Sequence, residues 1–158
     1  MKVIFLDIDG VLNNNEHVSL LSRVLGFNQC KALYNVIGEL PFDEECCALM
    51  RELIRQTEAK VVLSSTWRLN DKSNELIKEY AGIEIYDKTP RKPYEIRGVE
   101  IQEYLDTHKN ITNYVIIDDD RDMLESQNLN FVPVSNLVGF TINDFNIAKS
   151  ILNRGDKK

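Results

Sequence analysis

The chain has 158 residues, of which 43% are hydrophobic and 28% charged, and its formal net charge is -6. This length suits one domain of ordinary size, and the acidic balance argues against an extended surface for gripping duplex nucleic acid. A small phosphorylated ligand, or a nucleic-acid end held by a few local cations, remains compatible with it. No apolar run approaches the roughly 18 residues that span a bilayer, so no membrane association is expected.

The start of the chain and its cysteines favour a cytoplasmic protein. A predicted strand begins at residue 3, which leaves no room for a signal peptide. The cysteines are odd in number, contain no C-x-x-C motif and include an adjacent pair; they are Cys30, Cys46 and Cys47. This pattern is typical of reduced thiols in the cytoplasm. The sequence gives no indication of the oligomeric state.

Predicted strands and helices alternate along the chain. Apolar runs predict strands at residues 3–6, 61–63, 83–86, 114–117 and 131–134, the last at a sheet edge because of Pro133. Helical spacing covers about 16–38, 72–80 and 96–108, with further helices after Asp43 and after Thr141. The alternation predicts an α/β fold with a doubly wound, Rossmann-like parallel sheet. We expect one domain over residues 1–158, with a small helical flap at about 13–40.

The first strand ends in two carboxylates, Asp7 and Asp9, followed by Gly10. Residues at positions i and i+2 of an extended segment point to the same side. Two like charges at such close range are unfavourable unless a cation or a shared proton relieves them. The pair therefore indicates a magnesium site with a nucleophile, although a D-x-D-G motif alone is equally consistent with a solvated acidic turn.

Two further strands end in polar clusters, Ser64-Ser65-Thr66 and Asp118-Asp119. Ligands of open parallel sheets bind at the carboxyl ends of the strands, where these clusters meet the first one. Taken in this order, the clusters resemble the motifs of the haloacid dehalogenase (HAD) superfamily of phosphohydrolases. Asp7-Ile8-Asp9-Gly10-Val11 is similar to its first motif, Ser64 to the second and Asp118-Asp119 to the fourth. The third motif is a cation near a helix start, for which Arg97 is the first choice and Lys92 the alternative.

The resemblance implies a HAD-like fold with a minimal cap, and a role for each matching residue. Asp7 would attack phosphorus to give an aspartyl-phosphate, and the Asp9 carboxyl would act as the general acid and base. Mg²⁺ would be held by Asp7, the backbone carbonyl of Asp9, and one or both of Asp118 and Asp119. Ser64 would donate to a phosphoryl oxygen, while the motif-three cation neutralises charge in the transition state. The aspartate at position 9 favours phosphomonoester hydrolysis, because the dehalogenases of the family lack it.

A finer resemblance concerns three segments: residues 64–68, Arg97-Gly98-x-Glu100-Ile101, and Gly139-Phe140-Thr141. They are similar to a small phosphatase branch found in RNA-repair proteins and close to the phosphatase half of polynucleotide kinase-phosphatases. This similarity implies a nucleotide or nucleic-acid terminal phosphate as the substrate. The residues that we expect to bind it are Ser65, Thr66, Arg68 and Lys92. A local basic rim would support this role, formed by Arg68, Arg91, Lys92 and Arg97.

Two other functions remain open. A protein of this fold could capture a phosphorylated nucleotide without turning it over, although a pure binder has no need for both Asp7 and Asp9. The predicted flap is small and leaves the site open, which suits a polymer end or a bulky nucleotide. It suits a phosphorylated protein residue equally well, so a protein phosphatase is the remaining alternative.

Overall fold

A computed structural model describes residues 1–29 and 41–155 of the chain. Its strands are β1 (Lys2–Leu6), β2 (Lys60–Leu63), β3 (Ile85–Lys88), β4 (Asn113–Asp118) and β5 (Phe131–Pro133). The α-helices of the described residues are α1 (Asn15–Leu25), α2 (Glu44–Thr57), α3 (Ser73–Ala81), α4 (Arg97–Thr107) and α5 (Ile142–Leu152). Single 3₁₀ segments, Thr66–Leu69 and Glu125–Asn130, follow β2 and precede β5.

The strands form one sheet in the order β3-β2-β1-β4-β5, and every pairing is parallel. Alternate residues of β1 are buried on opposite faces, as the period of a strand requires. Val3 and Phe5 pack on one face against Ile101 and Tyr104 of α4. The opposite face packs against side chains of α2, α3 and α5. The predicted α/β fold with helices on both faces of a parallel sheet is confirmed.

Side-chain caps fix where two of these helices begin. Asp43 accepts a hydrogen bond from the backbone N–H of Glu45 at the start of α2. Thr141 and Asp144 form the capping box predicted for α5. Cys46 and Cys47 on α2 are free and buried, and burial is the main reason that their pKa values rise to about 11 and about 12.

The structure departs from the sequence-based expectations in two places. β3 begins at Ile85, two residues later than predicted, because its pairing with β2 begins there, opposite Val61. α1 ends at Leu25, before Gly26 at φ 81°, so the helix predicted over 16–38 breaks there. No side chain of α1 is buried, and Val24 is 71% exposed. Residues 30–40 lie outside the described part, so a flap over 13–40 stays a prediction.

Within the described residues, no helix combines the length and apolar character needed to cross a membrane.

Candidate active site

The polar clusters at the ends of β1, β2 and β4 meet at one edge of the sheet. β1 lies between the other two strands, so the backbone N–H of Asp7 donates to Ile117 O (3.0 Å) and that of Ser64 donates to Leu6 O (3.0 Å). Asp118 is the last residue of β4 and is completely buried. Carboxylate oxygens of Asp7, Asp118 and Asp119 lie within 4.8 Å of one another. Such a set of hard oxygen donors fits a divalent cation.

Arg97 enters this cluster from the first position of α4. Its Nη1 lies 2.5 Å from Asp7 Oδ1 and 3.0 Å from Asp118 Oδ2. The side chain is 12% exposed, so these contacts are shielded from bulk water. The backbone N–H of Arg97 donates to Asp122 Oδ2 (3.1 Å), which fixes the start of the helix.

The loop after β4 also packs closely against Gly98, the residue of α4 that follows Arg97. A Cβ at Gly98 would lie 2.5 Å from the backbone nitrogen of Leu124, so only glycine fits this contact. The buried Gln127 donates from Nε2 to Gly98 O (2.8 Å) and accepts from Leu124 N–H at Oε1 (3.0 Å). The loop that carries Asp118 at its start therefore also sets the position of Arg97.

Burial and charge shift the pKa values within this cluster. Burial is the largest influence on the pKa of Asp7 and raises it, while Arg97 and the Ser65 hydroxyl oppose the rise. Burial and the Asp7 charge raise the pKa of Asp118 to about 8, and burial with the nearby Asp120 raises that of Asp119. For Arg97, burial favours a lower pKa, but Asp7 and Asp118 outweigh it and keep the guanidinium charged. Crowded carboxylates of this kind are stabilised by a bound cation.

The carboxylate of Asp9 lines the same cavity as Asp7 and Asp119 and is held by two donors of its own. Asn13 Nδ2 donates to Asp9 Oδ1 (2.8 Å), and the indole Nε1 of Trp67 donates to Oδ2 (3.0 Å). The Asn13 Oδ1 atom accepts from Gly10 N–H (2.8 Å), which closes the turn. Gly10 adopts φ 77°, and a Cβ there would lie 2.5 Å from Asp119 Oδ2. Asp9 is thus oriented separately from the other carboxylates, and a contribution of its backbone carbonyl to a metal site stays a prediction.

Comparison with known protein families identifies this arrangement. A family model described as "HAD domain in Swiss Army Knife RNA repair proteins" matches residues 3–145. The chain belongs to this family of HAD domains. No curated protein and no solved structure matches the chain significantly. The match confirms the resemblance to RNA-repair-associated HAD proteins and supports, in general terms, a phosphohydrolase of the phosphatase type.

The two candidates for the third HAD motif occupy different surroundings. Arg97 contacts Asp7 directly, whereas Lys92 forms an ion pair with Glu103 on the outer side of α4. The Lys92 side chain is 42% exposed, and its backbone N–H donates to Glu100 Oε1 (2.8 Å). Of the two, Arg97 is the cation that faces the strand ends.

Three hydroxyl residues of the loop after β2 lie beside the HAD site: Ser64, Ser65 and Thr66. The Ser65 hydroxyl accepts from the backbone N–H of Trp67 (3.4 Å), and its influence on Asp7 opposes the rise in the Asp7 pKa. Ser64 is completely buried, and its Oγ has no hydrogen-bond partner within residues 1–29 and 41–155. Thr66 is exposed on the wall of the site cavity. An unpaired buried hydroxyl is a donor available to a ligand.

Arg68 is occupied by contacts inside the protein. Its Nη1 donates to the carbonyl oxygens of Ser64 (2.7 Å) and Ser65 (2.8 Å), and its Nη2 pairs with Glu100. The side chains of Arg68 and Glu100 are only 9% and 6% exposed. These contacts favour a role in holding the Ser64-Ser65 loop over the direct substrate binding that the sequence suggested for Arg68.

A cavity of about 290 Å³ opens above the carboxylates. The described residues that line it are Asp7, Asp9, Gly10, Asn13, Asn14, Asn15, Thr66, Arg97, Asp119, Asp120 and Asn136. The motifs of the sequence do not identify Asn13 as the partner of Asp9. The one signal that points to it is the preference of asparagine for turns, which its contact with Gly10 N–H illustrates.

Proposed function

We propose that this HAD domain is a Mg²⁺-dependent phosphohydrolase that cleaves a phosphate monoester through an aspartyl-phosphate on Asp7. The observation that carries the proposal is the convergence of Asp7, Arg97, Asp118 and Asp119 at the strand ends. A structural strand end has no need for three buried or half-buried carboxylates around one guanidinium.

Each residue has a defined task in the proposed reaction. A carboxylate oxygen of Asp7 forms a bond to phosphorus while the ester P–O bond breaks, and Asp9 gives its proton to the leaving oxygen. Asp9 then takes a proton from the water that attacks the same phosphorus, which releases phosphate and restores Asp7. Arg97 offsets the negative charge that develops on the phosphoryl oxygens. The hydroxyls of Ser64 and Ser65 donate to one of these oxygens.

The residues present fit a magnesium ion. Asp7, Asp118 and Asp119 would hold it, with the backbone carbonyl of Asp9 as a further oxygen donor. Bound Mg²⁺ supplies positive charge that screens Asp7 from the approaching phosphate. The raised pKa values of all three carboxylates support this assignment, since they reflect first burial and then neighbouring negative charge, and a bound cation would offset both.

We infer that the substrate is a nucleotide or a nucleic-acid terminal phosphate. The RNA-repair context of the family supports this class. Within the described residues, cations also line the approach to the site in an otherwise acidic protein, since Arg91 and Lys92 lie on its rim. A phosphorylated protein residue and simple binding without turnover are the competing outcomes of the test.

The test is release of inorganic phosphate, first from p-nitrophenyl phosphate with and without Mg²⁺. A second screen compares nucleoside 2′-, 3′- and 5′-phosphates, short oligonucleotides, sugar phosphates and phosphopeptides. The matched control is the Asp7→Asn variant, which keeps the shape of the site but lacks the nucleophile. Magnesium-dependent release above this control is the expected result. Release no faster than the control from any of these compounds would contradict the proposal, and preference for phosphopeptides would change the substrate class.

A further inference from the structure

A second cavity, of about 250 Å³, adjoins the site cavity and shares Thr66 and Arg97 with it. Beyond these two residues it is lined by Arg91, Lys92 and Tyr94, among others. We call this second cavity the side cleft. Because Arg97 also contacts Asp7, the side cleft begins next to the carboxylates of the site cavity.

The aromatic ring at the side cleft stands on an unusual turn. The backbone N–H of Glu95 donates to Lys92 O (3.2 Å), so Lys92 to Glu95 form a β-turn with Pro93 and Tyr94 at its centre. Tyr94 adopts φ 72° at the third position, where glycine is normally found. Its side chain is fully exposed. A large aromatic residue at a strained and solvated position needs an explanation beyond packing.

The turn is firmly attached to the interior. The backbone N–H of Lys92 donates to Glu100 Oε1 (2.8 Å), and Glu100 is buried in its pair with Arg68. Arg68 in turn binds the carbonyl oxygens of Ser64 and Ser65 beside Asp7. The ring of Tyr94 is therefore presented on a backbone whose position is tied to that of the catalytic loop, which reduces the entropy lost on binding.

The side cleft also contains a cation, Arg91, that pairs with none of the described residues. Arg91 is exposed and has no hydrogen bond or ion pair among residues 1–29 and 41–155. Of the three carboxylates on the wall, Glu100 binds Arg68 and Asp122 accepts from the backbone of Arg97, while Glu95 is exposed. Glu95 adds, after the Glu103 contact, to the rise in the pKa of Lys92. The charge of Arg91 is left available to an anion.

We propose that the side cleft is a subsite for the nucleotide next to the terminal phosphate of a single-stranded nucleic acid. Tyr94 stacks on its base, and Arg91 binds the phosphodiester that links it to the end. Exposed aromatic rings beside cations are how proteins bind single strands without reading sequence. The formal net charge of -6 argues against an extended track for a duplex. The inference rests on the proposed function, because it takes the terminal phosphate to lie at Asp7.

The experiment compares kcat/KM for a single-stranded pentanucleotide ending in a phosphate, at either its 3′ or its 5′ end, with that for glycerol 2-phosphate. The small ester is non-aromatic, whereas the ring of p-nitrophenyl phosphate could itself stack on Tyr94. Tyr94→Ala should lower kcat/KM for the pentanucleotide roughly tenfold more than for glycerol 2-phosphate. Tyr94→Phe should retain most of the wild-type value, and Tyr94→Gly, which removes the backbone strain, should behave like Tyr94→Ala. The matched control is Tyr80→Ala, an exposed tyrosine on α3.

A binding arm separates this inference from the proposed function. In the Asp7→Asn background, fluorescence anisotropy of the labelled pentanucleotide is measured over a range of salt concentrations. The slope of log affinity against log salt is negative, and Arg91→Gln should reduce its magnitude by roughly 0.7. Lys109 is exposed, and Lys109→Gln should leave the slope unchanged. Tyr94-dependent binding without turnover by the wild-type protein would contradict the catalytic proposal and support the subsite. Two outcomes would overturn the subsite and leave the proposed function intact. One is turnover of the pentanucleotide that does not change in the Tyr94 and Arg91 variants. The other is an equal loss of kcat/KM in these variants with a phosphopeptide as substrate.

Discussion

The two ends of the parallel sheet differ in how deeply their charged side chains are buried. At the amino ends of β2 and β3, a cavity of about 480 Å³ is lined by Arg51, Lys60 and Glu84, among others. Its charged groups reach the surface, where Arg51 pairs with Glu44, which is 75% exposed. At the carboxyl ends, the smaller cavity of about 290 Å³ covers Asp7, which is 4% exposed. Buried and crowded charge, rather than cavity size, marks the functional end.

Chain direction explains the difference. At the amino ends of the strands the helices finish, and their last carbonyls are satisfied locally: the backbone N–H of Glu58 donates to Ile54 O, and that of Gly82 to Lys78 O. At the carboxyl ends the strands finish and α4 begins, so the buried carboxylates of Asp7 and Asp118 converge on Arg97. At the amino ends the backbone groups are paired locally, while the carboxyl ends leave room for an anion and a cation.

The largest effect is expected from Asp7→Asn. The amide nearly preserves the shape of the carboxylate but cannot attack phosphorus, so turnover should be abolished while the fold persists. Phosphate release and circular dichroism of the same preparation check both parts. More than a few per cent of wild-type activity in a clean sample would remove Asp7 as the nucleophile.

Arg97→Ala should lower kcat by roughly a hundredfold, on the scale of losing one transition-state charge donor. Arg97→Lys should recover part of this loss, because a point charge reproduces only part of a guanidinium contact. Lys92→Ala is the matched comparison and should mainly raise KM, since Lys92 pairs with Glu103 on the periphery. Steady-state kinetics on one substrate decide the assignment, and a larger kcat loss in the Lys92 variant would reverse it.

Asp118→Ala and Asp119→Ala should each weaken Mg²⁺ binding, because each removes one of the three clustered carboxylates. At least one variant should lose activity that high Mg²⁺ partly restores. Isothermal calorimetry with Mg²⁺ measures the affinity directly. Unchanged affinity in both variants would place the metal site elsewhere.

The sequence predicted the strand-end residues well and their supporting contacts poorly. Asp7 and Asp118 follow apolar runs, so the neighbouring residues in the sequence indicate both the strand and the place where it ends. The contacts that position Arg97 come from Asp122 and Gln127, 25 and 29 residues away from the groups of α4 that they bind. Such partners depend on how loops meet in three dimensions. Arg68 shows the same limit. Its charge suggested that it binds the substrate, whereas its contacts are with groups inside the protein.

Trp67→Phe tests whether the donors around Asp9 matter to catalysis. Phenylalanine keeps most of the buried packing against Phe42 but loses the indole N–H that donates to Asp9 Oδ2. We expect kcat to fall roughly tenfold with KM less affected, the lower end of the scale of one hydrogen bond to a charged group. Phe42→Leu is the control, because it changes the packing around Trp67 and keeps the donor. An equal fall in kcat in both variants would indicate that only packing is involved.

The smallest effect on activity is expected from Arg51→Ala, at the opposite end of the sheet. Arg51 Nη1 donates to the carbonyl of Ala81 (2.7 Å), and Nη2 pairs with Glu44 (2.5 Å), so the side chain ties α2 to the end of α3. The side chain is 36% exposed, and solvent screening limits the loss of stability to about 1 kcal/mol. Urea denaturation should show this lower free energy of unfolding, whereas kcat and KM should match the wild type. A loss of activity larger than the loss of stability explains would mean that the two ends are coupled through the sheet. Chemistry would then not be confined to the carboxyl ends of the strands.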